Sequence, residues 1–235
     1  MRELTVVPLD HVEFGYAPYD WPYAQQFRDA IDTYFEELCR DKPTLWNGRV
    51  LLMRDFAIAA GALRGTFFET GYADFLHWRD HGFPDRSVVN CFGMAALHSR
   101  DGAYLMGVMG PHTVSAGSIY FPAGTPEPID RRGSTVNLLD NVLRELAEET
   151  GLAAHEVGAA EGWSAVANGG YLALFKQLII NAPAEEIRAR ILRHLASERR
   201  PELADIRIAR STEDFDPQMP AFMTAYLAHR FAGGE

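Results

Sequence analysis

The stretch Arg144-Glu-Leu-Ala-Glu-Glu-Thr-Gly-Leu152, RELAEETGL, crowds four charged residues into six positions and ends on glycine and an aliphatic residue. Leu138, Leu139, Val142 and Leu146 recur at helical spacing, which predicts a helix with one stripe packed on a core. Ser134 or Thr135 is placed to cap its start, and Gly151 suits the left-handed position after its end. Asn141, Glu145, Glu148 and Glu149 fall together on another face. Three carboxylates at such spacing repel by roughly 0.2–0.5 kcal/mol per pair, and the helix C-terminus disfavours them further. Arg144 can offset one of them by pairing with Glu148, or it can pair back to Asp140; it cannot neutralise all three. A hard divalent cation would remove the conflict, since Mg²⁺ takes a few carboxylates and completes its shell with water and phosphate oxygens.

The surrounding pattern sets this helix in a larger architecture. β-branched residues alternate with polar ones from Glu3 to Phe14, and an amphipathic helix spans Tyr19 to Pro43. A hairpin turns at Ala60-Gly61, and a short aromatic helix runs from Tyr72 to Trp78. After a break near Pro84, VVNCFGMAALHS and AYLMGVMG read as two strands joined by the turn Arg100-Asp101-Gly102. SIYFPAG is a third strand, and a polar loop leads from it to the acidic helix. Strands then flank the turn Asn168-Gly169-Gly170, followed by a helix from Ala184 to Ser197, the strand ADIRIAR, and a helix from Pro220 to Phe231. This order predicts an α+β fold with a mixed sheet and helices on both sides, divided into residues 1–84 and 85–235.

Composition narrows the chemistry. The 235 residues are 47% hydrophobic, which suffices for a sizeable core, and no apolar run is long enough for a bilayer. The first residues lack a secretory pattern, and two cysteines, Cys39 and Cys91, predict a reducing, cytoplasmic setting without a disulfide framework. A formal net charge of −10 disfavours nucleic acid or an anionic membrane surface as partner. A small anionic substrate remains compatible, because a bound cation reverses the local field.

Arg-Glu-aliphatic-x-Glu-Glu-x-Gly-aliphatic, as it stands at residues 144–152, resembles the second half of the Nudix box. A chance match in a chain of this length is on the order of one in 10⁵. The resemblance implies a Nudix-type α/β/α sandwich over residues 85–235, with residues 1–84 as an N-terminal α/β extension. It further implies hydrolysis of a diphosphate linkage in a nucleoside-diphosphate derivative, with Mg²⁺ or Mn²⁺ as cofactor. Glu145, Glu148 and Glu149 match the metal-binding glutamates, Arg144 the arginine that orients them, and Gly151 the glycine after the helix. Pro122-Ala123-Gly124 resembles the stretch whose backbone approaches metal and phosphates, which makes Ala123 and Gly124 substrate-binding candidates. The order NGRVLLMRDF…GTFFETGYADFL is similar to the extension of nucleotide-sugar-hydrolysing relatives. The first half of the box departs from the pattern: Asp130 stands where it has glycine, and Val136 where it has glutamate. Gly133 is positioned to make the turn, and Asp140 to replace the missing partner of Arg144. The alternative reading is a catalytically degenerate module of this fold that binds a nucleotide or nucleotide sugar.

Other candidates are weaker. Glu198 and Glu202 are later carboxylates that could act as base, with Arg199 and Arg200 between them as phosphate contacts. His112 lies on the loop before the PAG strand, where a substrate could reach it. His77 and His81 lack a third ligand for a metal. No serine stands in a Gly-x-Ser-x-Gly frame, so nucleophilic serine chemistry has no support. The aromatics of the first part, Trp46, Tyr72 and Phe75 among them, read as core packing before they read as a stacking platform.

Overall fold

The structure, a computed structural model, describes residues 4–43 and 45–233; the start of the strand expected from Glu3 lies outside them. Among the described residues, fourteen strands form one mixed sheet. They are β1 (Val6–Leu9), β2 (His11–Tyr16), β3 (Arg49–Ala59), β4 (Ala62–Gly71), β5 (Val88–Ser99), β6 (Tyr104–Met109) and β7 (Ile119–Tyr120). The remainder are β8 (Ala123–Gly124), β9 (Arg131–Arg132), β10 (Thr135–Val136), β11 (Gly158–Ala159), β12 (Trp163–Asn168), β13 (Tyr171–Ile180) and β14 (Leu203–Ala209). The helices are α1 (Pro22–Gln26), α2 (Arg28–Asp41), α3 (Tyr72–Asp80), α4 (Leu138–Thr150), α5 (Ala184–Ser197) and α6 (Ala221–Phe231). Among the described residues, no helix is long and apolar enough to cross a membrane.

The expected α+β architecture is present, with helices on both faces of a mixed sheet. On one face α4 and α5 bury Val142, Leu146, Ile187 and Ile191 against Ala95, Leu97 and Leu105. On the other, α6 sets Met223, Tyr226 and Leu227 against Met94, Ala96 and Phe175. The Phe175 and Tyr226 rings stack at 4.1 Å. The aromatics of α1 and α3 fold onto β3 and β4 with Ile31, Leu52 and Phe68. The single amphipathic helix expected from Tyr19 to Pro43 is interrupted at Phe27, which joins α1 to α2 with φ −106° and ψ 21°.

Strand β5 organises the site. One edge pairs in parallel with the whole of β13, from Asn90↔Tyr171 to Ser99↔Ile180. The opposite edge is shared among three partners. β3 takes Val88 and Val89, β8 takes Gly93 and Met94, and β6 takes Leu97 and His98. Among the described residues no strand pairs with that edge between Val89 and Gly93, so the sheet splits there and a cleft opens. Helix α4 lies close over the same strand. A side chain at Gly93 would collide with Val142 and Leu138, so glycine is what allows the helix to approach.

Asn137 caps α4, its Oδ1 accepting from the N–H groups of Leu139 and Asp140. The sequence pattern alone favours Ser134 or Thr135 as the cap. Thr135 is instead drawn into β10, which pairs with β2 and β9, so the helix starts later. Gly151 ends the helix in the left-handed conformation, φ 70°, as its sequence position implies.

Candidate active site

The apolar stripe of α4 faces the core, which leaves Asn141, Glu145, Glu148 and Glu149 on the side turned to the split in the sheet. Glu149 is 4% exposed. Its Oε1 accepts from the Ala123 N–H at 3.1 Å, whereas its Oε2 is buried without a hydrogen-bond partner among the described residues. Gly124 follows, backed against the Glu145 carboxylate so closely that any side chain there would overlap it. The PAG stretch is thus bound to the acidic face through Ala123 and fits it through Gly124. The Cα partners Gly93 and Gly124 face each other across the strand pair, allowing close approach on both sides.

Arg144 is the hub of the cluster. Its Nη1 lies 2.9 Å from Glu145 Oε1 and 3.2 Å from Glu148 Oε2. Its Nη2 donates to Asp130 Oδ2 at 3.2 Å. Asp130, 2% exposed, ends a short 3₁₀ turn, and its Oδ2 also accepts from the Glu127 N–H and from Asn141 Nδ2. Asn141 in turn reaches Glu145 Oε1 at 3.4 Å. The expected substitute, Asp140, points elsewhere and pairs with Arg132 at 3.0 Å. The reason is local: the 3₁₀ turn Pro128–Asp130 carries Asp130 beneath the helix, while Asp140 lies on the outer side of its first turn. Gly133 makes the intervening turn at φ 63°. Val136, in the expected glutamate position, is buried in the core beside Leu138.

The electrostatics follow from this crowding. Burial pushes the Glu145 carboxyl up to about 7, with Glu148, Glu202 and Asp130 adding to the rise and Arg144 opposing it. Burial raises Glu149 well above the usual carboxylate range, helped by Glu202 and Glu145. Glu202 is also raised, first by the protein around it and then by Glu148, although its side chain remains reachable from solvent.

Arg144, Glu145 and Glu148 line one wall of an open cleft of about 880 Å³, with Glu149 buried next to them. Glu202 and Arg200 border it, and Arg200 has no hydrogen bond or ion pair among the described residues. Glu198 turns away, its carboxylate 3.4 Å from His194 on α5. His112 lines the cleft from the loop after β6, and Lys42, Trp46 and Tyr72 close it from the N-terminal part. Trp46 is 75% exposed there, in contrast to the buried aromatics around it, so packing does not account for it. His77 and His81 stack at 4.0 Å, with His77 held by the Tyr23 hydroxyl, and serve packing. Asn90 also lines the cleft, a place that nothing in the sequence marks beyond the polarity of an asparagine inside an apolar strand.

No protein-family model matches the sequence, and no curated protein matches it. Among solved structures the fold is similar to a Nudix hydrolase from M. smegmatis, RenU. That likeness has 14% identity and a TM-score of 0.40, and covers 61% of this chain and 83% of that one. A MutT protein from Methanosarcina mazei Go1 shows 15% identity and a TM-score of 0.38, over 62% of this chain and 94% of that one. The Bacillus subtilis pyrophosphohydrolase BsRppH shows 12% identity and a TM-score of 0.33, over 64% and 85%. At such values the chemistry of this chain has to come from its own residues.

Asp130→Ala leaves Arg144, Asn141 and the Glu127 N–H without their buried acceptor, and should lower the unfolding free energy by about 3 kcal/mol. Asp140→Ala, on an exposed pair, should change it by under about 1 kcal/mol in the same urea titration. In EDTA, pH acts through Glu145, Glu149 and Glu202, whose carboxyls the fold all raises. Burial pushes Glu145 up to about 7 from the ordinary 4.5, so the folded protein holds that proton more tightly than the unfolded chain. Stability should therefore fall as pH rises from about 4.5 to 7, with Glu145 contributing on the order of 3 kcal/mol of that fall. Glu145→Gln should flatten that fall, and an unchanged slope would contradict the assignment.

Proposed function

We propose that this chain is a Nudix-type hydrolase that cleaves a diphosphate linkage in a nucleoside-diphosphate derivative, such as a nucleotide sugar, with Mg²⁺ or Mn²⁺. The observation that carries this reading is Glu149 Oε2, a carboxylate oxygen buried without a partner among the described residues, beside Glu145, which itself lines an open cleft. A core does not retain such an atom without compensation.

The residues fit a hard cation. Glu145, Glu149 and Glu148 would hold it, offering oxygen donors only, in keeping with Mg²⁺ or Mn²⁺. Among the described residues no three His, Cys, Asp or Glu side chains stand converged as a ready-made cage. Glu148, the most exposed of the three, rests on Arg144 and would have to turn from it. Bound there, the ion would supply positive charge against the phosphoryl oxygens and a lowered pKa for its water. The chain's own groups do the rest. Arg144, anchored on Asp130, holds Glu145 in place. Glu202, its carboxyl raised above the usual range and so a stronger base, is suited to accept a proton from the attacking water. Arg200 offers a fork to a phosphate oxygen. Water adds to one phosphorus, the bridging P–O bond breaks, and two phosphate monoesters leave.

The degenerate, binding-only alternative drew its support from Asp130 and Val136. With Asp130 seated on Arg144, the arginine keeps a buried carboxylate partner in spite of the departure in sequence. We also take residues 1–84 as an N-terminal α/β extension and 85–235 as the catalytic part; Lys42, Trp46 and Tyr72 in the cleft support a role for the extension in substrate binding. The free thiols Cys39 and Cys91 support a reducing, cytoplasmic setting. A small-molecule substrate, rather than nucleic acid or membrane, accords with the net charge of −10.

With a panel of nucleoside-diphosphate derivatives, Mg²⁺ or Mn²⁺, and mass spectrometry of the products, Glu148→Gln and Glu149→Gln should each reduce turnover at least about a thousandfold. Glu202→Gln should reduce kcat with little change in KM. Wild-type turnover in the double Glu148→Gln/Glu149→Gln variant would overturn the assignment.

A further inference from the structure

We propose that the end of the cleft remote from the carboxylates is a nucleobase subsite and that Asn90 determines which base it takes; this rests on the nucleotide reading above. Four observations meet there. First, the Asn90 side chain is 4% exposed, lines the cleft, and has its Oδ1 buried without a partner among the described residues. Its backbone N–H is already spent on Gly170 O at 2.8 Å, so the orphan belongs to the side chain alone. A buried carboxamide oxygen without a donor is costly, and a ligand N–H arriving from the cleft would satisfy it.

Second, the surroundings are aromatic. Phe92 follows two residues along the strand on the same face, and Tyr171 is the Cα partner of Asn90 across the parallel ladder. Phe92, Tyr171 and Phe222 pack edge to face or tilted, with centroids 5.9–6.2 Å apart. Tyr171 and Phe222 are only half-buried, so ring surface faces the cleft. A flat ring with a polar edge suits both the wall and the carboxamide.

Third, this end calls for a neutral group. Arg79, the cation bordering it, is already paired with Asp80 at 2.6 Å and lies over the Phe75 ring. An anion would find its charge taken. A plain hydrocarbon would leave the Asn90 oxygen orphaned. A nucleobase, with N–H donors on its edge and apolar faces, answers both conditions; the asparagine carboxamide is a group that reads such edges.

Fourth, the spacing fits. Met94 pairs with Ala123, whose N–H binds Glu149. Asn90 lies four residues earlier on the same extended strand, about 13 Å away. That is roughly the reach of a ribose and its phosphates, so a base at Asn90 would bring the diphosphate to the carboxylates.

The test is calorimetric binding of AMP, GMP, UMP and CMP to the intact protein, with ribose 5-phosphate as the base-free probe. None of these ligands contains the diphosphate bond, so the result does not depend on turnover. At least one nucleotide should bind ten times or more tighter than ribose 5-phosphate. Asn90→Leu should weaken that nucleotide about tenfold and level the ranking among bases. Phe222→Ala, in the first turn of α6, should weaken all four alike without reordering them, and provides the test should Asn90→Leu not fold. Equal binding of nucleotides and ribose 5-phosphate would overturn the subsite, as would an unchanged base ranking in a folded Asn90→Leu. Failure of every diphosphate in the turnover panel, with base-selective binding intact, would instead remove the hydrolase reading and leave the subsite standing.

Discussion

The Arg144 guanidinium sits between a carboxylate it cannot leave and two it must share. Asp130 is buried and holds one end of the fork, so the arginine is fixed from the core side and its other nitrogen is presented to Glu145 and Glu148. One positive charge thus serves three carboxylates directly, with Glu149 and Glu202 adding negative charge close by. The arrangement is under-neutralised, and the raised Glu145, Glu149 and Glu202 are the measure of that shortfall. Natural cores do not keep such a deficit for stability, since apolar replacements of similar volume do as well or better. The deficit makes physical sense once a cation enters.

That cluster depends on backbone approach as much as on charge. Gly93 lets α4 settle onto β5, and Gly124 lets β8 lie beneath Glu145. The same strand, β5, has one continuous edge and one divided edge, and the division creates the cleft. The acidic wall and the aromatic wall are therefore two stretches of one strand and its neighbours. The N-terminal part contributes through β3, which occupies the first portion of the divided edge, and through the segment carrying Trp46.

Local pattern made most of the elements legible. The stripe of α4, its glycine end, and the strands around Asp101-Gly102 and Asn168-Gly169-Gly170 are matters of period and turn chemistry, which neighbours in sequence determine. The acidic face was legible for the same reason. What escaped was set by distant chain. Asn137 caps the helix because β10 claims Thr135. Asp130 serves Arg144 because a 3₁₀ turn folds back beneath α4; fourteen residues of separation with no fixed geometry hide that pairing, whereas Asp140 looked apt by helical spacing. Trp46 and Asn90 depend on where the sheet splits, a property of pairing among β3, β5 and β8 that no single stretch encodes.

The central claim is that the shortfall of positive charge around Glu145, Glu148 and Glu149 is made good by a divalent cation. Crystals grown in Mn²⁺ and measured at a wavelength where manganese scatters anomalously test it most directly. An anomalous peak in contact with Glu149 Oε2 and the Glu145 carboxylate, with Glu148 turned from Arg144 toward it, is the result expected. A Mn²⁺-saturated crystal with no peak at these carboxylates, or with the ion bound elsewhere in the cleft, would contradict it.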